Sequence, residues 1–196
     1  MSAILVQAPG IFTTVQDLGR EGFGPMGVSA SGAADPMSMR IGNRLAGNPE
    51  GAAALEMTLV GGAFTFERAD VLREGSDVSI VATGVMVSRA LAAAERLAER
   101  DLEARVINVS TLKPLDEATI IAAARETAAI VTVEEATVEG GLGAAVAATV
   151  VRHAPVQMRM LGVTGFAPTG TAEFLFDHFG LNAEGIVRAA LQLKAR

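Results

Sequence analysis

Two glutamates followed by a cluster of glycines are the clearest chemical signal in the chain. In IVTVEEATVEGGLGAAVA, Glu134 and Glu135 close a β-branched run, and Gly140, Gly141 and Gly143 open an alanine-rich helix. Carboxylates at the carboxyl end of a strand, beside a glycine-rich helix start, occupy the usual ligand position of open α/β sheets, and free helix N–H groups there can hold an anion. Glu134, Glu135, Gly140, Gly141 and Gly143 therefore form a candidate crevice for an anion or a partner. A structural reading competes with this one: the glycines let the helix pack closely, and the glutamates face solvent or a partner.

Other reactive side chains are sparse. There is no cysteine, which excludes disulfides, cysteine-ligated zinc and thiol nucleophiles together. His153 stands just before Pro155 at a helix end, where a histidine readily meets terminal carbonyls, and His178 falls in a surface helix. Two histidines so far apart in sequence point to no metal cluster. Ser29-Ala30-Ser31-Gly32, followed by Asp35, offers hydroxyls and a carboxylate, but a glycine turn and a helix cap account for the same residues. Thr83-Gly84 precedes a helix without the further glycines of a dinucleotide fingerprint.

The elements that must position these residues change character along the chain. Up to Phe66, glycine and proline interrupt every few residues. Ala3 to Val6 and Ile11 to Val15 are expected as strands, Gly19 to Gly32 as a loop, and Asp35-Pro36 as the cap and first turn of a helix ending near Gly47. Strands at Ala53 to Thr58 and Ala63 to Phe66 flank a turn at Gly61-Gly62.

From Ala69 a repeating unit takes over, in which a β-branched strand is followed by a short connection and an amphipathic helix. Strands are expected at Ala69 to Leu72, Val78 to Ala82, Arg105 to Val109, Ile130 to Val133 and Val156 to Leu161. One helix carries Val87, Leu91, Ala94 and Leu97 on a single face. Another starts at Asp116 with Ile120, Ile121 and Ala124 facing the core. A third spans Ala144 to His153, and two more close the chain, the last capped by Asn182. Strands joined through helices make parallel pairs covered on both faces, an α/β architecture.

Composition narrows the function classes. Half the residues are hydrophobic and 19% are charged, so a packed core is expected. The net charge of -6, with only Lys113 and Lys194 as lysines and the arginines scattered singly, argues against nucleic acid. MSAILVQAPG has no signal-peptide character, and the longest apolar stretch, near Gly143 to Val151, is far short of the roughly 20 residues of a membrane helix. The expectation is a cytoplasmic protein with no membrane partner.

Two resemblances divide the chain at about Phe66 to Ala69. PGIFTTVQDLGREGFGPMGVSASGAADPMSMRIGNRLAGNPEGAAALEMTLVGGAFTFE resembles the opening of the biotin-dependent carboxyltransferase-like family, in which allophanate hydrolase and 5-oxoprolinase subunits are found. The complete family domain is several times longer and built from β-barrel-like halves. A barrel without most of its strands leaves edges unpaired and encloses no pocket, so carboxyl transfer by residues 1–68 alone is not expected.

ADVLREGSDVSIVATGVMVSRAL, RVINVSTLKPLD, IVTVEEATVEGGLGAAVA and GVTGFAPTGTAEFLFDHFGLNAEGIV resemble the transketolase C-terminal domain, as in bacterial transketolase C-terminal subunits. That resemblance covers residues 69–196. It implies a three-layer α/β/α sandwich on a five-stranded, mostly parallel sheet whose first strand is antiparallel, here preceded by a small β-rich segment with one short helix.

It also implies an accessory, subunit-contacting role in a thiamine-diphosphate enzyme. In the family, thiamine diphosphate and Mg are held by the two preceding domains. The chain has no glycine-aspartate-glycine metal motif followed by the expected asparagine, so neither cofactor is expected on it and no residue is assigned to catalysis. The partner implied is a transketolase N-terminal subunit or a second copy of the chain. A carboxylase-subunit fragment and a fusion product without function are the alternatives.

Overall fold

The computed structural model describes residues 4–20, 22–66 and 68–194. The chain divides into two compact units, one spanning Ile4–Thr65 and the other running from Phe66 onward.

The first unit contains strands β1 (Ile4–Ala8), β2 (Phe12–Gln16), β3 (Ala54–Thr58) and β4 (Ala63–Phe66), and helix α1 (Pro36–Leu45). Ala3, expected at the start of β1, lies outside the described residues. The strands form two separate two-stranded sheets: β1 pairs with β4, and β2 pairs antiparallel with β3 from Phe12↔Thr58 to Gln16↔Ala54. Among its described residues, the expected loop from Gly19 to Gly32 contains a single 3-10 turn, Gly24–Met26.

Helix α1 begins as its sequence dictates. Asp35 Oδ1 accepts from the Ser38 N–H at 3.0 Å, Oδ2 accepts from the Ser38 hydroxyl at 2.6 Å, and Pro36 follows at the first helical position. These bonds, the Ser38 hydroxyl foremost, hold the Asp35 carboxyl below the usual carboxylate range. Asn43 is the one buried residue described in Ile4–Thr65, and its amide donates to the carbonyls of Glu50 and Ala52 at 3.1 and 2.8 Å.

The second unit is built on β5 (Asp70–Arg73), β6 (Val78–Ala82), β7 (Ala104–Asn108), β8 (Ala129–Thr137) and β9 (Gln157–Val163). The sheet order is β5-β7-β6-β8-β9, with β5 antiparallel to β7 and the other pairs parallel. This is the α/β fold expected for the second part of the chain.

Every residue of β6 is buried, as befits a central strand covered on both faces. Ile80 points into one layer with α2 (Met86–Ala98) and α6 (Ala183–Lys194), and α5 (Ala172–Phe179) contributes Phe176 and Phe179 to the same side. Val81 points the other way, toward α3 (Glu117–Glu126) and α4 (Leu142–His153). In α3 the core face is Ile120, Ala123 and Ala124, while Ile121 is only partly buried.

Asp116 fastens the start of α3. Its carboxylate accepts from the Thr119 N–H at 3.1 Å and hydroxyl at 2.6 Å, and from the Ala69 N–H at 3.0 Å. Burial alone pushes this carboxyl up; the bonds from Thr119 and Ala69, with the Arg68 charge, outweigh it and leave the group below its ordinary range. No helix among the described residues is long and apolar enough to cross a membrane.

Candidate functional site

β8 runs four residues beyond the expected end at Val133, because its pairing with β9 resumes after an irregularity and reaches Thr137↔Val163. Glu134 and Glu135 therefore lie within the strand, and the pleat sends them to opposite faces. Glu134 is 1% exposed, and its Oε2 and Oε1 accept from the N–H groups of Leu142 and Gly143 at 2.7 and 2.8 Å. Glu135 is exposed and lines a cavity of about 230 Å³ whose other walls include Val163, Leu175, Phe176 and Leu181.

The first N–H groups of α4 are thus bonded to the chain's own carboxylate. Such groups carry the positive end of the helix dipole, which favours a charged partner and offsets much of the cost of burying it. The expectation that the glutamates face solvent or a partner holds for Glu135 and not for Glu134. Sequence reasoning missed this link because donor and acceptor are eight and nine residues apart across a loop.

The glycines take distinct parts. Gly140 is exposed with φ +78°, the left-handed region that favours glycine. A Cβ on Gly141 would overlap Glu134 Oε2, and one on Gly143 would lie 2.9 Å from Thr132 Oγ1 and 3.0 Å from Met160 Sδ. Close approach of α4 to the sheet is therefore what Gly141 and Gly143 permit. The bond between Glu134 and the α4 N-terminus depends on that approach.

The remaining candidates stay apart from this site. His153 Nε2 is 4.0 Å from Glu117 Oε2, and Arg152 Nη2 lies 2.7 Å from Glu117 Oε1. His178 is stacked on Phe174 and set edge-on to Phe179, with centroids 6.0 and 4.7 Å apart. The hydroxyls of Ser29 and Ser31 are 3.1 Å apart, and Asp35 is engaged with Ser38. The Thr83 hydroxyl donates to the Val109 carbonyl at 2.8 Å, tying the β6–α2 turn to the chain after β7.

Arg89 was not singled out by the sequence. Its guanidinium lies 4.1 Å from the centroid of the Phe176 ring and 3.3 Å from Glu173, 84 residues away, a separation at which no local pattern signals contact. Among the described residues no group of three His, Cys, Asp or Glu side chains is placed to hold a metal ion.

Comparison with known proteins agrees with this architecture. Residues 67–186 match the family "Transketolase, C-terminal domain", and the chain belongs to that family. Residues 26–78 match the "Carboxyltransferase domain, subdomain A and B", so the two matches overlap at residues 67–78.

A 6-deoxy-6-sulfo-D-fructose transketolase subunit from Clostridium sp. is 47% identical over 68% of this chain and 42% of its own length. An apulose-4-phosphate transketolase subunit from Phocaeicola vulgatus is 39% identical over 66% of this chain and 41% of its own. A solved split gene transketolase, described as an inactive beta4 tetramer, superposes with a TM-score of 0.64 at 39% identity, covering 66% of this chain and 43% of that one. The chain thus spans about two fifths of the length of these relatives.

Proposed function

We propose that the second unit is the subunit-contact domain of a transketolase-type thiamine-diphosphate enzyme and carries no chemistry of its own. The observation behind this reading is the carboxyl end of the sheet, where the buried carboxylate is engaged internally and apolar side chains face out. Phe166, in the loop after β9, is 99% exposed, and Phe174 and Val85 are about half exposed. The Arg89–Glu173 pair links the first turns of α2 and α5, which sets Val85 and Phe174 on adjoining helix starts. A large aromatic presented on a loop is a typical anchor for a protein partner.

The relatives named as transketolase subunits support a transketolase N-terminal subunit as that partner, and the beta4 tetramer supports self-association as the alternative. The residues described do not fit thiamine diphosphate and Mg themselves: they gather no metal-ligating group, and the Leu142 and Gly143 N–H groups are already bonded. Both cofactors therefore belong to the partner in this reading, and a cytoplasmic location goes with it. The carboxyltransferase match favours a second reading for the first unit alone, as a contact fragment of a carboxylase of the 5-oxoprolinase or allophanate hydrolase type.

The test mixes the purified chain with the transketolase N-terminal subunit of the same host and follows sedimentation together with thiamine-diphosphate-dependent ketol transfer. Neither component alone is expected to turn over, and the mixture is. Phe166→Ser should weaken assembly by about tenfold or more without altering the melting curve. Turnover by this chain alone, or no complex at about 100 μM of each component, would overturn the proposal.

A further inference from the structure

A second cavity, an open surface cleft of about 330 Å³, lies away from the carboxyl end of the sheet, between edge strand β9 and helices α5 and α6. That volume is at the lower end of the roughly 300–1,000 Å³ typical of small-molecule sites. Its polar rim is Arg159 from β9, His178 from the last turn of α5, and Arg188 and Gln192 from α6. Arg188 and Gln192 are four residues apart, hence on one face of the helix. The Gln192 side-chain oxygen accepts from Arg159 Nη2 at 3.0 Å, which holds that guanidinium at the cavity edge. Contacts with Phe174 and Phe179 orient the His178 ring.

Charge singles this cavity out. The chain is acidic, with 22 carboxylates against 16 lysines and arginines, and seven of its arginines form ion pairs with glutamates. Neither Arg159 nor Arg188 has an ion-pair partner among the described residues, yet both line one cavity. Asp177, the carboxylate in the wall, has its Oδ1 bonded to the Asn182 amide at 2.7 Å. Two glycines in the lining let α6 pack closely on the end of α5. Gly180 ends α5 in the left-handed region, and a Cβ on Gly185 would overlap the Gly180 carbonyl oxygen.

We propose that this cavity binds a phosphate-type dianion, either free or as the phosphate of a small monoester. Guanidinium forks suit tetrahedral oxyanions because each presents parallel N–H donors. Arg159 and Arg188 take the phosphate oxygens, His178 adds a ring N–H, and the organic part of a monoester lies along Phe179 and Leu161. The site is independent of the subunit-contact reading, since none of its residues belongs to the exposed array around Phe166.

The experiment titrates the full chain at low ionic strength with inorganic phosphate, ribose 5-phosphate and ribose, by calorimetry and by amide NMR. Phosphate and the monoester should saturate, with shifts centred on Arg159, His178, Arg188 and Gln192, and ribose should not. Tighter binding of the monoester identifies an esterified ligand; equal affinities identify free phosphate. R159Q and R188Q should each weaken binding by about tenfold or more with unchanged melting curves. R100Q, at an exposed arginine outside the cavity, should leave it unchanged. No saturation of either phosphate species at about 20 mM overturns the proposal, as does an R100Q loss equal to that of R188Q.

Discussion

Residues 4–65 make strands, turns and a capped helix without burying them, whereas in the second unit β6 is buried throughout and β7 and the first six residues of β8 lie largely beneath helices. In the first unit Leu59 is 90% exposed, Leu45 79% and Val15 70%, and Asn43 alone is buried among the described residues. In the second, Ile80, Val81, Ile107 and Ile130 are fully buried. Local chemistry is comparable in the two, since Asp35 and Asp116 each cap a helix through both a hydroxyl and a backbone N–H. What separates them is layering: a two-stranded sheet cannot enclose side chains, while a five-stranded sheet between helices can.

The largest effect should come from separating the units. Residues 66–196 expressed alone should unfold in one cooperative transition within a few degrees of the full chain, because their core is self-contained. Residues 1–65 alone should show no cooperative transition by circular dichroism or calorimetry. A sharp transition in the shorter piece would show that two-stranded sheets suffice here, and the comparison would collapse.

Next in size is Glu134→Ala. It leaves two buried N–H groups at the α4 N-terminus without their acceptor, a loss of about 2–5 kcal/mol by denaturant titration. Glu134→Gln keeps one acceptor oxygen and should lose about half as much. Equal losses for the two substitutions would mean that charge on the helix dipole, rather than hydrogen bonding, dominates the contact.

Asp116→Asn should cost about 1 kcal/mol, the usual weight of a cap. The sign of its pH dependence follows from a folded-state pKa below the unfolded one. The carboxylate's contribution is present above about pH 4 and is lost as the pH falls through the folded value, so stability falls with acid. In the variant that slope should shrink, as read from denaturant midpoints between about pH 2 and 5. An unchanged slope would assign the acid sensitivity to other carboxylates.

How much of this was legible depended on sequence distance. β6 was visible as a short Val/Ile-rich run, VSIVA, closed by Thr83-Gly84, and both aspartate caps were visible because each partner lies three residues away. The antiparallel sense of β5 came from the family resemblance, since periodicity carries no direction. The location of the glutamate–glycine cluster was legible, but its internal bond was not. β8 was expected to stop at Val133, which left Glu134 in a crevice instead of in a strand facing α4. Arg159, Arg188 and His178 meet through packing of β9 on two helices, and nothing near any one of them in sequence announces the others.

The overlap between Glu134 and any Cβ on Gly141 has a consequence for inheritance. A lineage that replaces Gly141 first drives a methyl into the carboxylate, and one that shortens Glu134 first strands two helix donors. Each single step is penalised, while a joint change to a shorter acid and a small side chain is the combination with room for both. The two positions should therefore drift as a pair, with the first change surviving only where the rest of the core has stability to spare.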